Sequence, residues 1–289
     1  YKRQMVIFTA GGGCNEMEGL KMWRLVFFLG CAMLALPGMA ETQRVEGLEF
    51  DRVVVFGDVE VEITQGEEPE LLLRGPSEDL ARQPFFLDRD VLVLGRSKQD
   101  RREDFDRVKF RLTVKDMKHL ELKGSGDVYV KPIQTRDFYA SVAGSGDMKF
   151  FELNAEAVKL TVSGSGDLQV ARLSTPELRV VLSGSGDIHL GVTSAENATF
   201  SLNGSGDISI SEPSDARELE MNIVGSGDID LEEMSARATE VNIMGSGTAR
   251  IGEVEELEVN IVGSGDVHYR GRPEIDQSII GSGDLHQAD

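Results

Sequence analysis

The sequence predicts an all-β fold: a single-stranded parallel β-helix, or solenoid, with coils of about 20 residues. Three observations carry that reading. The tetrapeptide Gly-Ser-Gly-Asp begins at 124, 144, 164, 184, 204, 225, 263 and 281, and Gly-Ser-Gly-Thr replaces it at 245. The spacings are 20, 20, 20, 20, 21, 20, 18 and 18 residues, the mark of one supersecondary unit copied along the chain. Within each unit apolar residues alternate with polar ones, the period of a strand with one buried face.

Taken in chain order, residues 1–40 read as a leader. Lys21 and Arg24 precede the apolar run Leu25 to Leu36, and Gly38-Met39-Ala40 gives a small-x-small pattern before Glu41. That is the grammar of a secretory signal peptide, and the run is short for a membrane span. Cleavage is expected after Ala40, with residues 1–16 an extension upstream of the start candidates Met17 and Met22. Lipidation of Cys31, after Phe28-Leu29-Gly30, is the lesser alternative. Cys14 and Cys31 are the only cysteines, so a chain cut after Ala40 has no disulfide and no thiol ligand or nucleophile. Residues 1–40 hold four basic and two acidic side chains out of totals of 30 and 50, so residues 41–289 hold 26 against 48, a formal charge of −22. Such a surface repels nucleic acid and anionic lipid. No later apolar run is long enough to cross a membrane as a helix. The expected location is exported: periplasm, outer-membrane surface or extracellular space.

Residues 41–289 are expected to form one domain, with irregular coils at 44–123 and GSGD coils at 124–289. "VVVFGDVEVEI" around Gly57 is a degenerate copy of the unit. Leu71–Leu73, Val91–Leu94 and Phe110–Val114 read as further strands, Ser77–Arg82 as one helical turn, and Arg96–Asp106 as a charged loop. From 124 onward each unit is a strand, a GSGD corner, a strand and a looser return. Val158-Leu160-Val162 before a corner and Leu168-Val170 after it are typical. The residue two before each motif, from Leu122 to Ile279, is apolar all nine times. Stacked coils about 4.8 Å apart would join these nine into one internal file, which favours a solenoid over an antiparallel meander of hairpins.

The corner itself needs no ligand to explain it. Glycine takes positive φ at no steric cost, and an Asp carboxylate accepts nearby backbone N–H groups. A dinucleotide fingerprint needs a third glycine and a helix, a P-loop needs Gly-Lys-Ser/Thr, and a nucleophile elbow needs G-x-S-x-G with a histidine base. None is present, so no catalytic residue and no cofactor is expected. Asp127, Asp147, Asp167, Asp187, Asp207, Asp228, Asp266 and Asp284 would stack into an acidic file, a weak calcium candidate that Thr248 interrupts. The second residue after each motif forms an outward column in which His189, His268 and His286 fall. His268 and His286 would be neighbours, but two ligands without a third do not make a metal site. The residue just before each motif turns from polar to apolar in the last four coils: Val224, Met244, Val262 and Ile280. If that position faces outward it is a candidate interface; if the corner swings it inward it is core. Asn222, Asn242 and Asn260, two residues earlier, would form an amide ladder.

These units, with "FDRVVVFGDVEVEITQGEEPELLLRG" at 50–75 and "GSGDVHYRGRPEIDQSIIGSG" at 263–283, resemble the auto-transporter adhesin, head GIN domain family of bacterial exported proteins. The similarity spans about residues 44–285, and Tyr269-x-Gly271-x-Pro273 resembles that family's terminal coil. The resemblance implies a right-handed parallel β-helix outside the cytoplasm, with no enzyme activity and no catalytic residues to carry over. No run of alternating ten-residue strands suggests an outer-membrane barrel, so self-translocation is not expected. The leading reading is therefore a non-enzymatic, adhesin-like binding protein. Its partner would be a cell-surface protein or polysaccharide, or a second copy of itself. A β-helix carbohydrate-active enzyme and an envelope scaffold without a specific ligand are the alternatives.

Overall fold

A computed structural model describes residues 40–99 and 104–288. The expected leader, with Cys14 and Cys31, and part of the charged loop lie outside the described residues.

The glycine corners stack directly on one another. Gly57, Gly124, Gly144, Gly164, Gly184, Gly204, Gly225, Gly245, Gly263 and Gly281 form one continuous file through in-register parallel pairing. A representative coil has a strand before the corner (Asp137–Gly144), one after it (Asp147–Phe150) and a short return strand (Leu153–Asn154). Each lies against its equivalent in the next coil. Hairpin reversal at GSGD is thereby excluded for these coils, and the solenoid is what the structure contains.

Close axial approach dictates the two glycines. The first has φ between +129° and +154°. A Cβ built there would lie 1.9–2.3 Å from the carbonyl oxygen of the glycine stacked beneath it. The second glycine from Gly126 to Gly283 has its Cβ direction equally blocked, at 2.0–2.5 Å from a carbonyl of the coil beneath. At the corner an L side chain would thus point along the stacking axis, where the neighbouring coil already sits. The freed space is used for hydrogen bonds: the Gly144 carbonyl accepts Ser165 N–H at 2.9 Å and Gly166 N–H at 3.1 Å. Serine between the glycines points outward and is exposed.

Inside, the expected file is real. Leu122, Val142, Val162, Leu182, Leu202, Ile223, Ile243 and Ile261 are all buried, and Ile279 in the last coil is partly buried against them. One apolar cluster runs from Val45 to Tyr269. Each fully buried Val, Leu or Ile contributes about 1.5–3 kcal/mol of transfer free energy, and only the neighbouring coils can supply the cover.

The N-terminal part departs from simple winding. Arg52–Gly57 and Glu60–Gln65 stack directly beneath His119–Gly124 and Asp127–Val130. The intervening chain passes outward to form the next layer, in which Val91–Leu94 and Lys109–Val114 pair parallel with those first two strands. The end is then closed by antiparallel strands: Glu70–Gly75 on Lys109–Val114, Glu41–Glu46 on Glu70–Gly75, and Phe85–Asp88 on Val91–Leu94. The last of these is a hairpin with the two-residue turn Arg89-Asp90, in which Arg89 takes φ +59°. One short helix, Ser77–Ala81, falls where a single turn was expected. Its buried Asp79 is held by Arg82 and by Arg107 at 2.8 Å, and Arg107 also reaches Glu78 at 2.9 Å. Hydrogen bonds to Glu78 and Asp79 raise the Arg107 pKa further. No helix among the described residues is long and apolar enough to cross a membrane.

Gly204→Ala and Gly206→Ala are each expected to destabilise the fold by about 2–4 kcal/mol, read as a lowered urea midpoint by circular dichroism. Ser205→Ala, between them, is expected to stay within about 0.5 kcal/mol of wild type. Gly206→Ala behaving like Ser205→Ala would contradict the stacking argument.

Candidate functional surface

The side chains that could do chemistry lie in outward files flanking the corner, because strand alternation repeats at the same phase in every coil. Before the corner, Val224, Met244, Val262 and Ile280 are 46%, 60%, 49% and 67% exposed. Of the two placements open to this column, the outward one is what the fold adopts. Two residues earlier the amide ladder forms: Asn242 Nδ2 donates to Asn222 Oδ1 and Asn260 Nδ2 to Asn242 Oδ1, both at 3.1 Å. Each amide also donates to an acid on its own strand, Asn222 to Glu220 and Asn242 to Glu240 at 2.8 Å and Asn260 to Glu258 at 3.3 Å. The order across this face is acidic, amide, apolar.

Further from the corner the fold gathers what the sequence left dispersed. Glu218, Glu220, Glu240, Glu256, Glu258 and Asp276 are among the residues that line one open trough, and no Lys or Arg lies in its lining. Arg237 approaches it from one side, 3.5 Å from Glu256. The acids arrive by file, coil after coil, rather than as a pair in unlike surroundings.

At the corner the aspartates do something other than close their own turn. Asp167 Oδ1 accepts the backbone N–H of Asp187 at 2.9 Å, Asp187 that of Asp207 at 3.0 Å, and Asp207 that of Asp228 at 3.1 Å. Asp228 accepts Thr248 N–H at 2.8 Å, and Asp266 accepts Asp284 N–H at 3.0 Å. The carboxylates therefore tie each coil to the next. In the first GSGD coils the backbone does this instead, with Asp127 N–H bonded to the Val59 carbonyl and Asp147 N–H to the Gly126 carbonyl. Thr248 continues the backbone link without adding a charge, and Arg250 beside it leans to Asp228 at 3.8 Å.

In the histidine column, His189 is held at both ring nitrogens, by Ser209 at 2.9 Å and Ser211 at 3.1 Å. His268 and His286 stack on each other with ring centroids 5.0 Å apart. Asp266, Asp284 and His286 bring ligand atoms within 4.8 Å of one another, a grouping that sequence reasoning missed by treating the Asp and His columns separately. The signal was the two-residue spacing that puts Asp and His on one strand face. His119, on the first regular coil, packs at 4.6 Å against Tyr139, and burial pushes its pKa down.

A parallel solenoid that presents repeating side-chain files along flat faces is the class of protein defined so far. The chain belongs to the family described as "Putative auto-transporter adhesin, head GIN domain", whose profile matches residues 49–215 and 170–273. Among solved structures it is similar to a protein described as a putative lipid binding protein from Parabacteroides distasonis, at 27% identity and TM-score 0.62, covering 87% of this chain and 98% of that one. It is also similar to a putative adhesin from Parabacteroides merdae, at 21% identity and TM-score 0.66, covering 87% and 97%. A putative adhesin from Parabacteroides distasonis matches at 17% identity and TM-score 0.60, covering 87% and 98%. These last two likenesses concern the fold. No curated protein matches the sequence.

Asp207→Ala removes the acceptor for Asp228 N–H and is expected to destabilise by about 1 kcal/mol. Asp207→Asn keeps an acceptor and removes a charge between Asp187 and Asp228, so it is expected to match or exceed wild-type stability at low salt, with the gain fading at high salt. Melting temperatures at two ionic strengths check this; equal losses for both variants would contradict the coil-to-coil role.

Proposed function

We propose that this chain is an exported, non-enzymatic binding protein of adhesin type that contacts another cell-surface protein through the face bearing Val224, Met244, Val262 and Ile280. The observation that carries this is the exposure of those four apolar side chains in consecutive coils, at 46–67%. A soluble surface that leaves a contiguous apolar file open commonly uses it for contact. The neighbouring Glu220, Glu240 and Glu258 favour a partner that sets cationic groups beside apolar ones. The acidic formal charge of −20 disfavours anionic lipid and nucleic acid. The name of the similar Parabacteroides distasonis protein makes a lipid the natural competing partner to test.

A carbohydrate-active enzyme of this fold would need two carboxylates set in unlike environments across a cleft. The trough acids repeat the same environment from coil to coil, which supports binding over catalysis. Export agrees with the leader-like residues 21–40 and with the family's adhesin description.

Fluorescently labelled full chain should bind isolated envelopes of the producing bacterium saturably. Met244→Glu/Ile280→Glu is expected to weaken that binding tenfold or more, while Val192→Glu, at an exposed apolar residue outside the file, should not. A file variant that binds like wild type would overturn the assignment of the face. Loss of binding after lipid extraction, but not after protease treatment of the envelopes, would overturn the protein partner.

A further inference from the structure

The last two coils both carry Asp-x-His directly after the second glycine: Asp266-Val267-His268 and Asp284-Leu285-His286. Strand alternation buries Val267 and directs Asp and His to the same outward face. Parallel pairing sets His268 opposite His286 and Val267 opposite Leu285, so the two tripeptides form a square array of two carboxylates and two imidazoles. We propose that this array is a binding site for one divalent transition-metal ion of the zinc type, with Asp266, Asp284 and His286 as ligands.

Three features of the array support this beyond its composition. The ligand atoms of Asp266, Asp284 and His286 already lie within 4.8 Å of one another, so closing on an ion requires only side-chain rotation. Asp266 is oriented by the backbone, because its Oδ1 accepts Asp284 N–H at 3.0 Å, and its other oxygen is left to coordinate. A second imidazole stands beside the three ligands, since His268 stacks on His286 at 25°.

The rest of the chain provides an internal contrast. Asp187-Ile188-His189 has the same spacing, but its histidine is bonded at both nitrogens to Ser209 and Ser211, and the next coil offers Ser209 in register with it rather than a second histidine. In the coil beneath the array, Thr248-Ala249-Arg250 replaces the ligands with a neutral group and a cation. That guanidinium leans to Asp228, on the side away from the array. The site is therefore confined to the terminal two coils.

Ligand type selects the ion. Calcium takes six to eight oxygen ligands, and imidazole is foreign to such a set. Mixed imidazole and carboxylate donors suit zinc and its first-row neighbours, and zinc tolerates three protein ligands with solvent completing four.

Isothermal titration of the untagged full chain in a Cys14→Ser/Cys31→Ser background, so that no thiol competes, is expected to give one Zn²⁺ site per chain. Co²⁺ in its place should give the visible absorption of a four- or five-coordinate ion. His286→Ala and Asp284→Asn are each expected to weaken Zn²⁺ binding at least tenfold, while His189→Ala leaves it unchanged. All three positions are on the surface, and circular dichroism verifies the fold of each variant. No saturable Zn²⁺ binding, Zn²⁺ affinity unchanged in His286→Ala, an equal loss in His189→Ala, or tighter binding of Ca²⁺ than of Zn²⁺ would each overturn the proposal.

Discussion

The distance between stacked backbones at the corner governs this protein. Where the chain turns, the direction a Cβ would take runs along the solenoid axis, and a carbonyl of the adjacent coil lies about 2 Å from that position. Only glycine fits at both places, and the first must also take φ near +135°. Once the corners are in register, every other column is in register too. The buried file, the amide ladder, the aspartate ties and the exposed apolar file are consequences of one alignment repeated along the chain. This explains why side chains on different units, 18–21 residues apart, behave as near neighbours.

That constraint also explains the division of labour between inside and outside. Alternation fills the interior mainly with Val, Leu, Ile, Met, Phe and Ala, with Thr239 in register between Leu219 and Leu257 as an exception, because each coil is thin and must be covered by the next. The outer positions are free to vary, and their chemistry changes along the axis. Polar residues before the corner give way to Val224, Met244, Val262 and Ile280, and mixed residues after it give way to paired Asp-x-His. Both changes fall toward the C-terminal coils. At the opposite end the growing edge is covered by antiparallel strands and by the Arg107, Glu78 and Asp79 cluster. Such covering satisfies ladder groups that a bare terminal coil would leave open.

The GSGD region was legible because its signals repeat nine times. Leu122 to Ile279 fell in one apolar column, and the structure gives them one file. The placement of Val224 and its equivalents was not legible, since Val and Ile occur on either side of a strand and only the corner geometry decides. The role of the aspartates was half legible: the sequence identified an acceptor for backbone N–H. The donor, however, lies a full coil away, as with Asp207 accepting from Asp228. Local turn chemistry cannot see a donor supplied by stacking. The N-terminal winding was the least legible part. Alternating residues such as Val53-Val55 and Val91-Val93 have the same pattern whether paired parallel or antiparallel, and in or out of chain order. What fixes Gly57 beneath Gly124 is a pairing across 67 residues, which no local period encodes.

The most direct measurement is a spin-label distance between Ser145→Cys and Ser264→Cys, in the chain with Cys14 and Cys31 replaced by serine. These exposed serines occupy corners six coils apart. Direct stacking predicts about 29 Å, six steps of about 4.8 Å. If each corner were instead a hairpin turn, two strands would separate successive corners, and a distance near 58 Å would contradict the account.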